Sequence, residues 1–265
     1  MAVLKSKRGI SNLEFENNFV ELYRFSSMHI SKVPKRKKKW LCEDINKDMN
    51  LLYKKVMDIN ELYFRSKSAR SLYISESILS IEYILKDLNK HLLSLWNIQG
   101  YDFNTMEKWA MLIKKEIFLL NKEGCDNFID LNINILDWDY INKAIFLKNM
   151  SELHRYTHSK VINAKNDFDD TDGNLLISLV NDAFYELILA NTKVPKTKEE
   201  YEVRRNHISK AITYLGEMNR PMLFYFNMME YSERIMVEWS ELLVNELKML
   251  ISLQSSDKER FKNLP

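Results

Sequence analysis

The residues of this sequence that are best suited to bind a ligand are cations gathered in its N-terminal part. Six of them fall within eight positions, and we call them the basic cluster: Lys32, Lys35, Arg36, Lys37, Lys38 and Lys39. Three more follow, at Arg65, Lys67 and Arg70. Dense cations attract phosphates because binding releases the counterions that surround nucleic acid. We therefore predict that these nine residues bind nucleic acid, and a solvated charged loop is the alternative.

Aromatic residues lie beside both groups of cations. Trp40 directly follows the basic cluster, and Tyr63 precedes Arg65 by two positions. Aromatic rings next to cations can stack on unpaired bases with little preference for sequence. These two rings are therefore candidates for base stacking, whereas charge by itself predicts no sequence-specific recognition.

Two histidines have the spacing of a metal site. His154 and His158 lie four residues apart, so on a helix they would share one face, as two metal ligands must. Their segment reads His-Arg-Tyr-Thr-His and lacks the glutamate of an HExxH metalloprotease helix. No third ligand follows nearby, so we interpret both as packing or surface histidines.

An acidic run before Gly173 resembles a calcium loop only superficially. An EF-hand needs oxygen ligands at alternate positions and a bidentate glutamate at its end. Here Phe168 falls on the first ligand position and Leu179 on the last. The run with aspartates at 167, 169, 170 and 172 is therefore predicted to be a solvated turn, in which Thr171 or Asp172 caps the helix that follows.

The remaining candidates for catalysis are also isolated. Glu116 and Glu246 lack the Glu-x-x-His pattern of di-metal bundles, so we expect surface or salt-bridge roles for them. Cys42 and Cys125 have no partner spacing and are typical of chance or structural thiols in a reducing cytosol. Walker A, nucleophile-elbow and polymerase Tyr-x-Asp-Asp signatures do not occur. We predict no catalytic residues, no metal, no cofactor and no enzymatic activity.

Composition and periodicity predict the elements that must position the cations. Only 5 Gly and 4 Pro occur, so turns are few and elements long. Apolar residues recur every three or four positions, which indicates amphipathic helices. Eight helices are expected, at about 10–30, 40–64, 68–96, 104–122, 137–166, 174–191, 197–226 and 232–253, with a kink at Pro221. The predicted class is all-α.

The second half of the chain repeats the first. When residues 97–120 are shifted by 130 positions, seven of 24 residues become identical, among them Tyr101/Tyr231, Trp109/Trp239 and Glu116/Glu246. At a shift of 131, Asn50 also meets Asn181. Short connections between long helices favour antiparallel neighbours. We therefore predict two tandem up-down antiparallel four-helix bundles, in domains 1–125 and 126–265.

Charge is distributed unequally between these halves. Residues 1–131 carry 22 basic and 17 acidic residues (+5), whereas residues 132–265 carry 17 and 20 (−3). Such asymmetry concerns partners rather than fold. The basic N-terminus has no apolar segment behind it, and no stretch of about 18 apolar residues follows, so a soluble cytoplasmic protein without a membrane span is expected.

Several short motifs resemble one known family. They are Leu4–Ser11 with Leu13-Glu14-Phe15, Val33-Pro34-Lys35, Ala190-Asn191 with Val194-Pro195, Tyr201 with Arg204-Arg205 and Ala211-Ile212, and Ser256-Asp257-Lys258 with Arg260. They are similar to the accessory variability determinant (Avd) proteins, four-helix bundles found near bacterial reverse transcriptases and related in fold to proteins encoded by 23S rRNA intervening sequences.

This resemblance implies an accessory subunit of a diversity-generating or related reverse-transcription system. Such a protein would oligomerise, bind the reverse transcriptase and help it to handle RNA or the RNA/cDNA hybrid. The chain differs from that family by being a pair of bundles and by being basic only in its first half. We therefore expect the first bundle to contact nucleic acid and the second to contact protein. A structural oligomeric scaffold and an antiphage-defence module are the alternatives.

Overall fold

The computed structural model describes residues 14–61, 67–124, 144–164, 171–192 and 194–265. All regular elements in these ranges are α-helices, which confirms the predicted all-α class. They are α1 (Glu14–Ser31), α2 (Lys35–Glu61), α3 (Lys67–Gln99), α4 (Phe103–Gly124), α5 (Ile145–Asn163), α6 (Thr171–Ala190), α7 (Lys198–Glu217), α8 (Asn219–Met228) and α9 (Glu233–Arg260).

Two compact units divide the chain, unit 1 (Met1–Ile135) and unit 2 (Leu136–Pro265). The boundary that the sequence suggested, between residues 125 and 126, lies in the segment 125–143, outside the described residues. The predicted start of the first helix at residue 10 and of the fifth at 137 lie outside them as well.

The four helices of unit 1 enclose one apolar core. Helix α1 packs against α2 and α4, and α3 packs against the same two helices. Each helix contributes a side chain with 0% exposure, namely Leu22, Ile45, Leu85 and Trp109. Each helix thus contacts its neighbour in sequence and the last contacts the first, which is the order of an up-down bundle.

Unit 2 repeats this order of contacts. Helix α5 packs against α6 and α9, and α7 packs against the same two, while the short α8 lies on α6 and α7. Met150, Leu215 and Trp239 are 0% exposed and Phe184 is 1% exposed. The interpretation as two tandem four-helix bundles rests on these two sets of contacts.

The seventh predicted helix is broken near Pro221, where a kink was expected. Helix α7 ends at Glu217 and α8 begins at Asn219, with Met218 between them fully buried. Pro221 has no N–H and cannot bond the carbonyl of Glu217, one turn before it. The ladder resumes where the Met222 amide donates to the Met218 carbonyl at 2.9 Å. The single kinked helix that the sequence predicts is thus two helices, divided at Met218, three residues before Pro221.

One stretch within α6 differs from the expectation that no segment could span a membrane. Among the described residues, Asp172–Ala190 is long and apolar enough by length and composition, and 56% of that window is buried inside unit 2. Helix α6 packs against α5, α7 and α8, so it needs apolar residues on several sides. Packing accounts for its composition.

The repeat is also visible in the hydrogen bonds. The indole N–H of Trp109 donates to Ser26 Oγ at 2.9 Å, and that of Trp239 donates to Thr157 Oγ1 at 3.0 Å. The Tyr101 hydroxyl donates to the His29 carbonyl at 3.0 Å, and the Tyr231 hydroxyl to the Lys160 carbonyl at 2.6 Å. In both units, therefore, a tryptophan in the last helix and a tyrosine just before that helix donate hydrogen bonds to the first helix.

The turns before these tyrosines match in backbone conformation. Gly100 has φ +66° and Glu230, 130 positions later, has φ +48°. A left-handed residue commonly ends a helix, and glycine adopts that conformation without a steric penalty. The shared geometry belongs to the turn rather than to the residue, because a glutamate adopts it in unit 2.

One matched pair from the sequence is not equivalent in the structure. Asn50 is exposed on α2, whereas Asn181 is buried in α6. The Asn181 side chain accepts hydrogen bonds from two histidines, as described below. Identity at this position therefore gives no support to the repeat.

Candidate nucleic-acid interface

The basic cluster begins in a turn and continues into a helix. Helix α1 ends at Ser31 and α2 begins at Lys35, so only Lys32–Pro34 form the turn. The expectation that the whole run is an interhelical loop was wrong, because a proline is well tolerated at a helix start, where its missing N–H has no partner. The Pro34 carbonyl accepts the Lys37 amide at 2.9 Å and so begins the helical ladder.

The cations of the cluster differ in exposure. Lys32 and Lys35 are exposed, and Lys37 and Lys38 are partly buried. The backbones of Arg36 and Lys39 lie in α2, and their side chains, like that of Trp40, lie outside the described part. The structure thus places the five consecutive cations of the cluster in the first turns of one helix.

These cations stand where a helix itself is positive. Unpaired N–H groups give a helix N-terminus about half a positive charge, so anions are favoured there and cations are not. The first turn of α2 holds no acidic residue, whereas α1 begins with Glu14 and Glu16 and α7 with Glu199 and Glu200. The repulsion at α2 would be relieved by a bound polyanion.

Aromatic residues of unit 1 contact the end of α1 that leads into the turn Lys32–Pro34. The His29 carbonyl accepts both the Tyr101 hydroxyl at 3.0 Å and the Lys32 amide at 3.1 Å. The His29 ring lies 5.0 Å from the Trp109 ring and 5.2 Å from that of Tyr101, between centroids. Burial, and then the charge of Lys32, lowers the pKa of His29. The turn is thus tied to α4 through a neutral ring cluster.

The second group of cations lies at the other end of α2. Lys67 and Arg70 belong to the first turn of α3, while Arg65 and Tyr63 lie outside the described residues. Helix α2 has 27 residues, and a helix of that length spans about 40 Å. The described members of the two groups therefore lie at opposite ends of α2, as the order of turns in an up-down bundle predicts.

A third set of cations, which the sequence analysis does not include, lies on the outer surface of α4. Lys114 and Lys115 are exposed there, between Met111 at 58% and Phe118 at 55% exposure. Exposed apolar residues seven positions apart, with lysines between them, were a readable signal, but we assigned α4 from its buried face alone. Lys108, on the same helix, is already paired with Glu21 at 3.4 Å.

The histidine pair is buried rather than available to a metal. His154 and His158 are both 0% exposed, and their Nε2 atoms donate to the Asn181 Oδ1 atom at 2.9 and 2.8 Å. Burial lowers the pKa of both, that of His158 to about 4. In the described part of the chain, no group of three or more His, Cys, Asp or Glu residues could hold a metal ion.

Glu116 and Glu246 are not at the surface and make no salt bridge with any described residue, so the expectation of surface or salt-bridge roles was wrong. Both are 0% exposed, and burial raises the pKa of each to about 8. Asn18 donates to Glu116 Oε2 at 2.7 Å, whereas neither oxygen of Glu246 has a partner among the described residues. Both carboxyls are therefore mainly protonated at neutral pH, which replaces the predicted ion pairs.

Of the remaining candidates for chemistry, Cys42 is buried in the core of unit 1. Burial raises the pKa of the Cys42 thiol to about 11, so it is not a thiolate at neutral pH. Cys125 and the aspartates at 167, 169 and 170 lie outside the described residues, and Asp172 lies in the first turn of α6.

Residues that carry the family resemblance meet inside unit 2. Arg204 Nε donates to Asp257 Oδ2 at 2.7 Å, and another guanidinium nitrogen of Arg204 donates to the Ala190 carbonyl at 2.5 Å. The Arg204 and Asp257 side chains are only 10% and 6% exposed. Three motifs that are distant in sequence thus converge on one buried ion pair joining α6, α7 and α9.

Comparisons of the chain with protein-family models, with curated proteins and with solved structures give no match.

Proposed function

We propose that this protein is a non-enzymatic, nucleic-acid-binding accessory protein of a bacterial reverse transcriptase, and that unit 1 holds the RNA or the RNA/cDNA hybrid. The observation that carries the proposal is the position of Lys35–Lys39 in the first turns of α2, with no acidic residue in the first turn. Cations at that position oppose the helix dipole, so folding gives no reason for them. A polyanion does.

The charge of unit 2 supports a different partner for it. The end of unit 2 that matches the basic cluster carries both signs of charge. Asp172 and Glu233 lie in the first turns of α6 and α9, with Arg234 beside Glu233, and Lys160 lies in the last turn of α5. Mixed charge of this kind is less suited than five consecutive cations to holding phosphates, and it is compatible with a protein surface of complementary charge. We assign the protein partner to unit 2.

The non-enzymatic part of the proposal is supported by the state of the reactive side chains. Cys42, His154, His158, Glu116 and Glu246 are buried, with pKa values displaced away from their charged forms. General acid–base catalysis needs a group within reach of a substrate. Groups in the middle of a helical core do not meet that condition.

The choice of a reverse transcriptase as the partner rests only on the resemblance to Avd proteins. A structural oligomeric scaffold is the second candidate, and exposed apolar residues on α4 and α9, such as Phe118 and Val244, favour it. Co-purification with the product of a neighbouring gene, with and without ribonuclease, separates the two. A scaffold would retain neither a polymerase nor RNA.

The nucleic-acid assignment is tested by removing the consecutive cations. The variant K35Q/R36Q/K37Q/K38Q/K39Q should lose binding to a labelled single-stranded RNA, measured by fluorescence anisotropy over a salt series. Each lost phosphate contact should lower the slope of log affinity against log salt by about 0.7.

A control with the same loss of charge separates local binding from net charge. Lys196, Lys198, Arg220, Lys258 and Lys262 are exposed in unit 2, and replacing these five by glutamine removes as many positive charges. We expect that variant to keep its RNA affinity. Equal losses in both variants, or none in the first, would contradict the assignment.

A further inference from the structure

A row of apolar side chains runs along the outer surface of α9. Val237, Val244 and Ile251 are spaced by seven residues and are 54%, 44% and 54% exposed. Trp239 and Leu250 point into the core and are 0% exposed. Residues seven apart lie on one face, about 10 Å from each other. A row of this kind fills one of the two apolar positions in each heptad of a coiled coil.

Two opposite charges flank this row on a single side. Glu241 precedes Val244 by three positions and Lys248 follows it by four, so both lie on the same flank of the helix. Both side chains are exposed, and neither forms an ion pair in the described part of the chain. An apolar row with one acid and one base placed about its centre is complementary to itself.

The direction of pairing follows from this arrangement. A twofold axis through Val244, perpendicular to α9, makes two copies antiparallel and joins equal flanks of the two helices. Val237 then contacts Ile251 of the second copy, and Glu241 contacts Lys248 of the second copy. Because of the twofold axis, each of these contacts occurs twice. A parallel pair would instead join opposite flanks and leave Glu241 facing Ser240 and Leu247.

We propose that α9 mediates an isologous, antiparallel dimer of this chain, centred on Val244. The repeated scaffold does not require this row, because the matching positions of α4 hold the charged residues Glu107 and Lys114. The row is therefore a property of unit 2, and the dimer does not depend on RNA.

The first test measures mass in solution by analytical ultracentrifugation of the full chain after ribonuclease treatment, over a range of concentrations. Val244→Glu places two like charges at the twofold axis, so the variant should sediment as a monomer with an unchanged circular dichroism spectrum. Lys114→Glu, at the matching position of α4, is the control and should remain a dimer. A monomeric wild type, or a V244E variant that stays dimeric, overturns the proposal.

The second test checks the antiparallel direction. E241K and K248E should each weaken the dimer, because each places like charges opposite one another twice. The double variant E241K/K248E exchanges the charges and should restore the dimer to the dissociation constant of the wild type within a few fold. Failure of the double variant to recover would exclude the antiparallel arrangement.

Discussion

The two units use the same aromatic anchors to hold ends that differ in charge. In unit 1, Tyr101 ties the last helix to a turn that leads into five consecutive cations; in unit 2, Tyr231 ties it to an end with Asp172 and Glu233 in the first helical turns. Core positions must fill a fixed volume, whereas exposed positions are free to change. A duplicated scaffold can therefore keep its anchors while its surfaces acquire different partners.

Interior polar groups differ between the units as well. Unit 1 supports its buried glutamate with the amide of Asn18, whereas the matching Glu246 has no donor among the described residues. Unit 2 instead contains the His154–His158–Asn181 group. The units thus share their packing more closely than their buried polar groups, and each prediction below tests one of these likenesses or differences.

The largest effect is expected from the shared tryptophans. Trp109→Ala and Trp239→Ala should each lower the free energy of unfolding by about 3–5 kcal/mol, because both remove a fully buried indole. Amide hydrogen exchange should show the lost protection in the unit that carries the change. Trp→Phe at the same positions keeps most of the volume and should cost less. If each variant lowered the exchange protection of both units equally, the two units would not have separate cores.

The buried glutamates should make stability depend on pH. Burial raises the pKa of both from 4.5 to about 8, so between these values the folded protein holds a proton that the unfolded chain releases. The free energy of unfolding is therefore highest at the acid end of this pH window. For each carboxyl it falls by about 1.4 kcal/mol per pH unit as the pH rises through the window.

Glutamine variants separate the two carboxyls. Glu246→Gln should raise the stability above pH 8 and remove its share of the slope, as measured by urea unfolding at pH 6 and pH 9. Glu116→Gln should remove a similar share of the slope, because the pKa of Glu116 is raised to the same value and the glutamine oxygen can still accept from Asn18. An unchanged slope in the E246Q variant would show that Glu246 is ionised in the folded protein.

The two matched asparagines should respond differently. Asn181→Leu leaves two buried imidazole N–H groups without their acceptor, which costs about 1–3 kcal/mol for each. Asn50→Leu, at an exposed position, should change the stability by less than about 0.5 kcal/mol. Chemical denaturation of both variants makes the comparison, and similar values for the two would mean that the histidines do not rely on Asn181.

The effects expected at the left-handed turns are smaller than those at the buried groups and have opposite signs. Gly100→Ala should destabilise unit 1 by about 1–2 kcal/mol, because an L-residue is strained at φ +66° although nothing lies within 4 Å of the added Cβ. Glu230→Gly should stabilise unit 2 by up to a similar amount, because it relieves the same strain at φ +48°. Thermal unfolding of the pair tests whether the turns are equivalent.

The sequence by itself determined the helical class, the helix order and the register of the repeat. Apolar spacing near 3.6 and the scarcity of glycine and proline are local properties, and the matching of Trp109 with Trp239 needs only a shift along the chain. The break near Pro221 was readable for the same reason, because proline acts on its own helix.

Only the tertiary structure decided the environment of the polar residues. A glutamate on an amphipathic helix has the same spacing whether it faces water or the core, so the burial of Glu116 and Glu246 depends on which helices cover them. The same holds for His154 and His158, whose acceptor lies 23 to 27 residues further along the chain. The position of Lys35–Lys39 in a helix rather than a loop also needed the structure, since Pro34 is compatible with ending one helix and with beginning the next.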